Sequence, residues 1–252
     1  TILFDDEPPA IRIYDPKFRA QFGTIISCQS EIDHPHVIQG RQALPWHVGI
    51  NRMNETTVLD YDTLAAMTRI DKPKLLSVIC SSKVTTPGHR LRLRFLDQLR
   101  SHFGARLDLF GRGFLPVGDK WEALAPYKYH IALENSCVRH YVSEKLTDSY
   151  LAGAYPLYHG CPNVGDQFSS RAYTPIDISN PQRAIATIEQ VIDQGLYEAR
   201  LQDIWAARDT VLQRYNFFAL LAEVCAALPL GRLKRTTIRP EWTFKTPVSA
   251  VN

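Results

Sequence analysis

The sequence predicts an α/β fold built on a mostly parallel sheet. From about residue 74 to residue 192, short apolar runs of strand length alternate with longer runs of helical period. Glycine, proline or polar clusters separate the runs. Hydrophobic residues make up 45% of the 252 and charged residues 22%, so the chain can bury a sizeable core and is not disordered as a whole.

The elements follow in order. Thr1 to Phe4 and Thr24 to Ser27 read as short strands, with a loop containing Pro8, Pro9 and Pro16 between them. Lys74 to Cys80, KLLSVIC, suits a strand buried on both faces. A break at Pro87-Gly88 precedes a helix over His89 to His102, where Leu96, Leu99 and Phe103 recur at helical spacing. Arg106 to Phe110 is a second strand, stopped by Gly111 and Gly113, and Tyr129 to Leu133 is a third. Val142 to Leu151 is helical, and Ala154 to Tyr158 is a strand ended by Gly160. Pro181 to Ile192 and one long stretch from Leu196 to Ala227 are helical. Residues 1–70 therefore look like a partial α/β segment, 71–230 a main unit, and 231–252, with Pro240 and Pro247, a tail.

Several function classes lose support at this stage. A formal charge of +3 is too small to imply a nucleic-acid partner, and clusters such as Arg90, Arg92, Arg94 and Arg232, Lys234, Arg235 also suit a solvated face. No apolar run approaches the roughly 20 residues that span a bilayer, and no signal peptide is visible. The chain opens at Thr1, so an N-terminal part is expected to be missing or processed. Cys28, Cys80, Cys137, Cys161 and Cys225 show no CxxC spacing and read as reduced thiols. Asp60-Tyr61-Asp62 has the spacing of a cation site but precedes a helix, where capping is the expected role. His34 and His36 have no third ligand nearby in sequence and read as a surface turn. Gly111-Arg112-Gly113 is too short for a dinucleotide fingerprint. Trp46, Trp121, Trp205 and Trp242 read as packing residues.

Tyr127 to Gly160 carries the chemistry. It reads as strand, loop, helix, strand, and Glu134-Asn135-Ser136 falls at the C-terminal end of the strand, the edge where open α/β sheets bind ligands. With a helix starting near Tyr141, Tyr141, Glu144, Lys145 and Asp148 share one face, while Val142, Leu146, Ser149 and Gly153 pack on the sheet. A lysine beside the positive end of a helix is unfavourable unless an anion is present, and a phosphate would resolve that conflict.

Y-K-Y-x-x-A-x-E-N-S, then Y-V-S-E-K-L, then A-G-A-x-P-x-x-x-G, in this order and spacing, resembles the signature of the family 10 α-1,3/1,4-fucosyltransferases. Ser81-Ser82-Lys83, Arg92-Leu93-Arg94-Phe95 with Leu99, and Leu107-Asp108-Leu109-Phe110-Gly111 fit the same family, and Leu3 to Pro8 resembles a further, shorter segment of it. Ser143 stands where threonine is usual and Lys83 where cysteine is common, while Tyr155, Tyr158 and His159 replace smaller apolar residues.

The resemblance implies a GT-B-like fold: a Rossmann-like, parallel-sheet donor domain and a reduced N-terminal acceptor domain. It implies inverting transfer of fucose from GDP-fucose to a glycan hydroxyl. Alternatives are a non-catalytic nucleotide-sugar-binding or scaffold domain, or a transferase for another GDP-sugar. Arg92 and Lys145 would bind the diphosphate, Glu144 the ribose hydroxyls, and Glu134, Asn135 and Tyr141 would line the pocket. Asn135 could equally bond loop backbone. Glu7 matches the general base that an inverting transferase needs to take the acceptor's proton, with Asp5 or Asp6 as substitutes. No metal and no cofactor beyond the GDP-fucose substrate are expected. The partners implied are a GDP-sugar donor and a glycan acceptor, with no nucleic acid, and the expected location is cytoplasmic or membrane-peripheral.

Overall fold

The computed structural model describes residues 1–40, 46–228 and 237–244. The basic cluster Arg232, Lys234, Arg235 and the end of the tail with Pro247 lie outside the described residues. The chain opens with β1 (Ile2–Asp5), α1 (Pro16–Arg19), β2 (Thr24–Ser27) and β3 (Val37–Gln39), and the three strands form a parallel sheet in that order. A short hairpin, β4 (Ile50–Asn51) and β5 (Thr56–Thr57), and α2 (Tyr61–Ala66) follow. Asp60 caps α2 by accepting from Thr63 N at 2.8 Å, which explains the D-Y-D spacing without a metal.

A larger parallel sheet begins with β6 (Lys74–Ile79). It is followed by α3 (Pro87–Phe103), β7 (Leu107–Phe110), α4 (Lys120–Leu124), β8 (Tyr127–Leu133), α5 (Glu144–Leu151), β9 (Tyr155–His159) and β10 (Thr174–Pro175). The strand order is β7-β6-β8-β9-β10. The chain runs from β6 outward to β7, then returns to the other side of β6 with β8. That reversal opens a crevice beyond the carboxyl ends of β6 and β8.

Both faces of this sheet are covered, which is why its strands read as continuous apolar runs. Tyr129, Ile131 and Leu133 of β8 join Phe95, Leu96 and Leu99 of α3 and Ile188 of α6 (Pro181–Asp193) on one side. Ala132 and Tyr158 join Leu146 and Tyr150 of α5 and Val211 of α8 (Leu201–Gln213) on the other.

Three readings change. Pro87-Gly88 is not a break: Thr86 is the N-cap of α3, bonded to His89 in a capping box, and Pro87 is its first helical residue. The stretch from Leu196 to Ala227 is three helices, α7 (Leu196–Ala199), α8 (Leu201–Gln213) and α9 (Phe217–Ala227), because Asn216 starts a new cap by accepting from Ala219 N. Trp242 is 73% exposed and does not pack in a core, whereas Trp46 and Trp121 lie against one.

The last described segments return to the first sheet. Phe217 of α9 lies 5.3 Å from Phe4 of β1, Gln21 exchanges two hydrogen bonds with the Arg239 backbone, and Arg12 pairs with Glu241 at 2.8 Å. Among the described residues no helix is long and apolar enough to cross a membrane. Cys28, Cys80, Cys137 and Cys225 carry free thiols, and the His34 ring is bonded to the Phe22 and His36 carbonyls.

Candidate donor site

The site grows from the carboxyl end of β8. Glu134 follows the strand and is 1% exposed. Its two oxygens accept from Ser143 N at 2.8 Å and Ser143 Oγ at 2.6 Å. Ser143 is the N-cap of α5, so strand end and helix start are fixed to each other. The helix therefore begins at Glu144 rather than near Tyr141. Tyr141 belongs to the incoming loop, is buried at 3% exposure, and does not share a helix face with Glu144. His140 just before it takes a left-handed backbone, φ 67°, held by Asn163, whose Oδ1 accepts from His140 N at 2.9 Å.

A cavity of about 320 Å³ opens at the β6–β8 crevice. Arg92, Asn135, Glu144 and Lys145 all line it, so the two cations expected to meet a diphosphate share one space. Lys83, Arg112 and Lys120 bring the cations of its wall to five, against the acids Glu144 and Asp148. That surplus suits an anionic ligand. Arg112 reaches the cavity because Gly111 takes φ 117° and passes so close to β6 that a Cβ would stand 2.0 Å from the Cys80 carbonyl oxygen.

Arg92, Lys145 and Glu144 are each held by named partners. Arg92 is 4% exposed and donates through Nη1 to the Leu133 carbonyl at 3.1 Å, while its Nε is buried without a partner. Lys145 Nζ lies 3.3 Å from Glu144 Oε1, 3.6 Å from Glu134 Oε2 and 3.1 Å from Ser143 Oγ. Burial works to lower its ammonium, but Glu144 and Glu134 outweigh burial and raise it. Burial also works against the Glu144 carboxylate, yet Lys145, Lys120 and His47 hold it well below the usual carboxylate range. Burial pushes Asp148 up to about 6 despite Lys120. His130, on the cavity floor, is pushed down to about 3 by burial and shares a 2.8 Å hydrogen bond with Ser77. Burial pushes the Glu134 carboxyl up as well, against Lys145.

The other expected residues take different places. Asn135 lines the cavity with its Oδ1 buried and unbonded, while its carbonyl abuts α3 at Gly88. Glu134 spends both oxygens on Ser143 and faces the cavity only through Lys145. Glu7 lies outside this cavity, on the loop after β1, which Gln29 fixes by donating to the Glu7 carbonyl at 3.0 Å. Its half-buried carboxyl is raised by burial and by Asp6, while the Lys145 charge lowers it and the Glu144 charge adds to the rise. Asp5 is fully buried and bonded to Ser27, which leaves it unavailable as a substitute for Glu7.

Sequence reasoning missed Lys120, Arg112, His130 and His47. Lys120 sits behind an N-capping Asp119, a visible helix start, but nothing in the sequence ties that helix to Glu144. His47 comes from the connection between the two sheets, and its backbone N donates to Asp148 Oδ1 at 2.8 Å.

The fold resembles crystal structures of an alpha1,3-fucosyltransferase, one solved with GDP-fucose and one with GDP. Each has a TM-score of 0.52 at 19% identity, and the GDP-fucose structure spans 84% of this chain and 74% of its own. The fold is thus of the GT-B kind, with a cation-walled crevice at the carboxyl edge of its larger parallel sheet. Residues 70–198, just over half of the chain, match the family described as glycosyltransferase family 10 (fucosyltransferase) C-term, and the chain belongs to that family. It is 27% identical over 135 residues to alpha-(1,3)-fucosyltransferase FucT of Helicobacter pylori, covering 51% of this chain and 28% of that protein. It is 30% identical over 134 residues to 4-galactosyl-N-acetylglucosaminide 3-alpha-L-fucosyltransferase FUT6 of Homo sapiens, covering 51% and 36%. It is 34% identical over 129 residues to GDP-fucose protein O-fucosyltransferase 3 of Gallus gallus, covering 50% and 25%. The alignments thus span about a third or less of these relatives.

Proposed function

We propose that this protein transfers fucose from GDP-fucose to a hydroxyl of a glycan, with inversion at the anomeric carbon. The observation that carries this reading is the convergence of Arg92 and Lys145 on one cavity at the carboxyl edge of a parallel sheet. GDP leaves as negative charge develops on the oxygen that bridged it to the sugar, and fixed cations in a desolvated cavity stabilise that charge without reorganising. Lys145 would take the diphosphate with Arg92. Glu144, held ionised, would accept hydrogen bonds from the ribose hydroxyls. Glu7, on the loop after β1, is near enough for the Lys145 and Glu144 charges to act on it, and its raised carboxyl suits a base that takes the acceptor hydroxyl's proton as that oxygen attacks. Arg92 and Lys145 supply the neutralising charge in this scheme, which calls for no metal or further cofactor. A peripheral membrane setting belongs to the same proposal and rests on the resemblance alone.

Calorimetry with GDP-fucose, GDP-mannose and UDP-sugars tests the donor, and NMR of the product's anomeric configuration tests inversion. GDP-fucose is expected to bind tightest and to release GDP when a glycan is supplied. Tighter binding of a UDP-sugar would refute the donor assignment. Binding of GDP-fucose with no GDP release from any glycan would leave a nucleotide-sugar-binding module instead of a transferase.

A further inference from the structure

Lys120 opens α4, and none of the sequence motifs includes it. Its Nζ lies 3.0 Å from Glu144 Oε1 and 3.1 Å from Asp148 Oδ2, and its side chain is 19% exposed. Two observations fix it there. Asp119 Oδ1 caps the helix by accepting from Trp121 N at 2.9 Å and also accepts from Gly49 N at 3.0 Å. Asp148, which anchors the ammonium from α5, is itself held by His47 N at 2.8 Å.

One carboxylate oxygen, Glu144 Oε1, therefore serves two ammonium groups: Lys120 at 3.0 Å and Lys145 at 3.3 Å. Lys145 is drawn in addition to Glu134, 3.6 Å away. A diphosphate entering the cavity competes with both carboxylates for Lys145. If Lys145 were the main counter-charge of Glu144, its departure would leave a carboxylate stranded in a desolvated wall, a costly outcome. With Lys120 in place, Glu144 keeps an ion pair when Lys145 turns to the ligand.

We propose that Lys120 is a positioning residue: it keeps Glu144 compensated, and so releases Lys145 to engage the donor's diphosphate. The inference rests on the reading of the cavity as a diphosphate site. The rival role for Lys120 is direct contact with the phosphates, and the two roles make opposite predictions about Glu144.

The experiment is calorimetry of the full chain with inorganic pyrophosphate and with GDP. Pyrophosphate has no ribose, so it reads the diphosphate contacts without the contribution expected of Glu144. Lys120→Met is expected to weaken pyrophosphate about tenfold to a hundredfold, the size of one charge-assisted contact. Lys120→Arg is expected to retain most of the affinity, since a guanidinium can still pair with both acids. The decisive variant is Lys120→Met combined with Glu144→Gln. Without the carboxylate to hold it, Lys145 is free, and pyrophosphate affinity is expected to return to the level of Glu144→Gln alone. If the double variant binds as weakly as Lys120→Met, Lys120 is a phosphate ligand and the proposal is overturned. Unchanged affinity in Lys120→Met overturns it too. Should Lys120→Met melt below the assay temperature, the Glu144→Gln background carries the same test. Adding Lys120→Met there is expected to cost nothing, and a tenfold loss overturns the proposal. A wild-type protein that binds neither GDP nor pyrophosphate removes the donor-site reading itself, and the role of Lys120 with it.

Discussion

Glu134 holds Ser143 by two atoms at once, backbone N at 2.8 Å and Oγ at 2.6 Å, and thereby joins the carboxyl end of β8 to the first turn of α5. The cap and the donor wall are one structure, because Lys145 Nζ leans on the same Ser143 Oγ at 3.1 Å. Ser143→Ala is expected to remove the cap and leave one oxygen of a buried carboxylate without its donor. Urea denaturation should show a loss of about 1–3 kcal/mol. Ser143→Thr should restore most of it, because a threonine hydroxyl caps in the same way.

Gly88, in the first turn of α3, lets that helix lie against the β8–α5 loop. A Cβ there would stand 2.0 Å from the Asn135 carbonyl oxygen, which is backbone and cannot swing aside. Gly88→Ala is expected to push α3 and the loop apart. It should cost about 1–3 kcal/mol by thermal denaturation, as overpacking does. GDP affinity should fall with it, since Arg92 and Asn135 sit on the two displaced elements.

Lys145→Ala is expected to cost on the order of 2–4 kcal/mol in transition-state stabilisation, read from kcat/KM, with a weaker GDP complex by calorimetry. A variant with full activity would contradict the diphosphate role. Because Glu144 and Glu134 would both lose a counter-charge, a lower Tm should accompany the kinetic loss.

Glu7→Gln separates binding from transfer. The side chain lies outside the cavity, so GDP-fucose affinity is expected to stay within about threefold of wild type. Transfer should fall by roughly 100-fold or more if this carboxylate takes the acceptor's proton. Normal transfer by the variant would exclude Glu7 as the base.

Asp148 makes stability depend on pH. Burial raises its folded pKa to about 6 from an ordinary 3.8, so the folded state binds the proton more tightly than the unfolded chain does. The favourable contribution is complete below pH about 4 and is lost as pH rises through about 6. Asp148→Asn removes that titration. The stability of the variant relative to wild type should therefore rise between pH 4 and pH 6.5, by an amount on the order of 2–3 kcal/mol, and level off above pH 7. Urea melts at four pH values suffice, and a flat difference across this range would refute the buried, titrating Asp148.

Much of the fold could be read from the chain because it was written in local period and punctuation. KLLSVIC and the run from Tyr129 to Leu133 are mostly apolar at strand length and lie in the central strands β6 and β8. Asp60, placed just before a helix-like run, became its cap. Pro87-Gly88 reads as a break, yet a proline and a glycine also suit a first helical turn when Thr86 precedes them as the cap. The local pattern starts α5 near Tyr141, three residues before its true start at Glu144, because only the grip of Glu134 on Ser143 makes Tyr141 part of the loop.

The sequence by itself determined the alternation that makes a parallel sheet. It also supplied, in E-N-S followed by S-E-K, the acid and cation placed beyond one strand. Only the tertiary structure decided that Lys120, from a short helix, and Arg112, from a loop, meet Glu144 and Lys145 around one cavity, and that His47 comes within 3.8 Å of Glu144. The reason is physical. Short-range patterns record which face of a strand or helix is buried, whereas the balance of charge in a desolvated crevice depends on residues up to 101 positions apart, the separation of His47 and Asp148. Folding alone brings those within hydrogen-bonding distance.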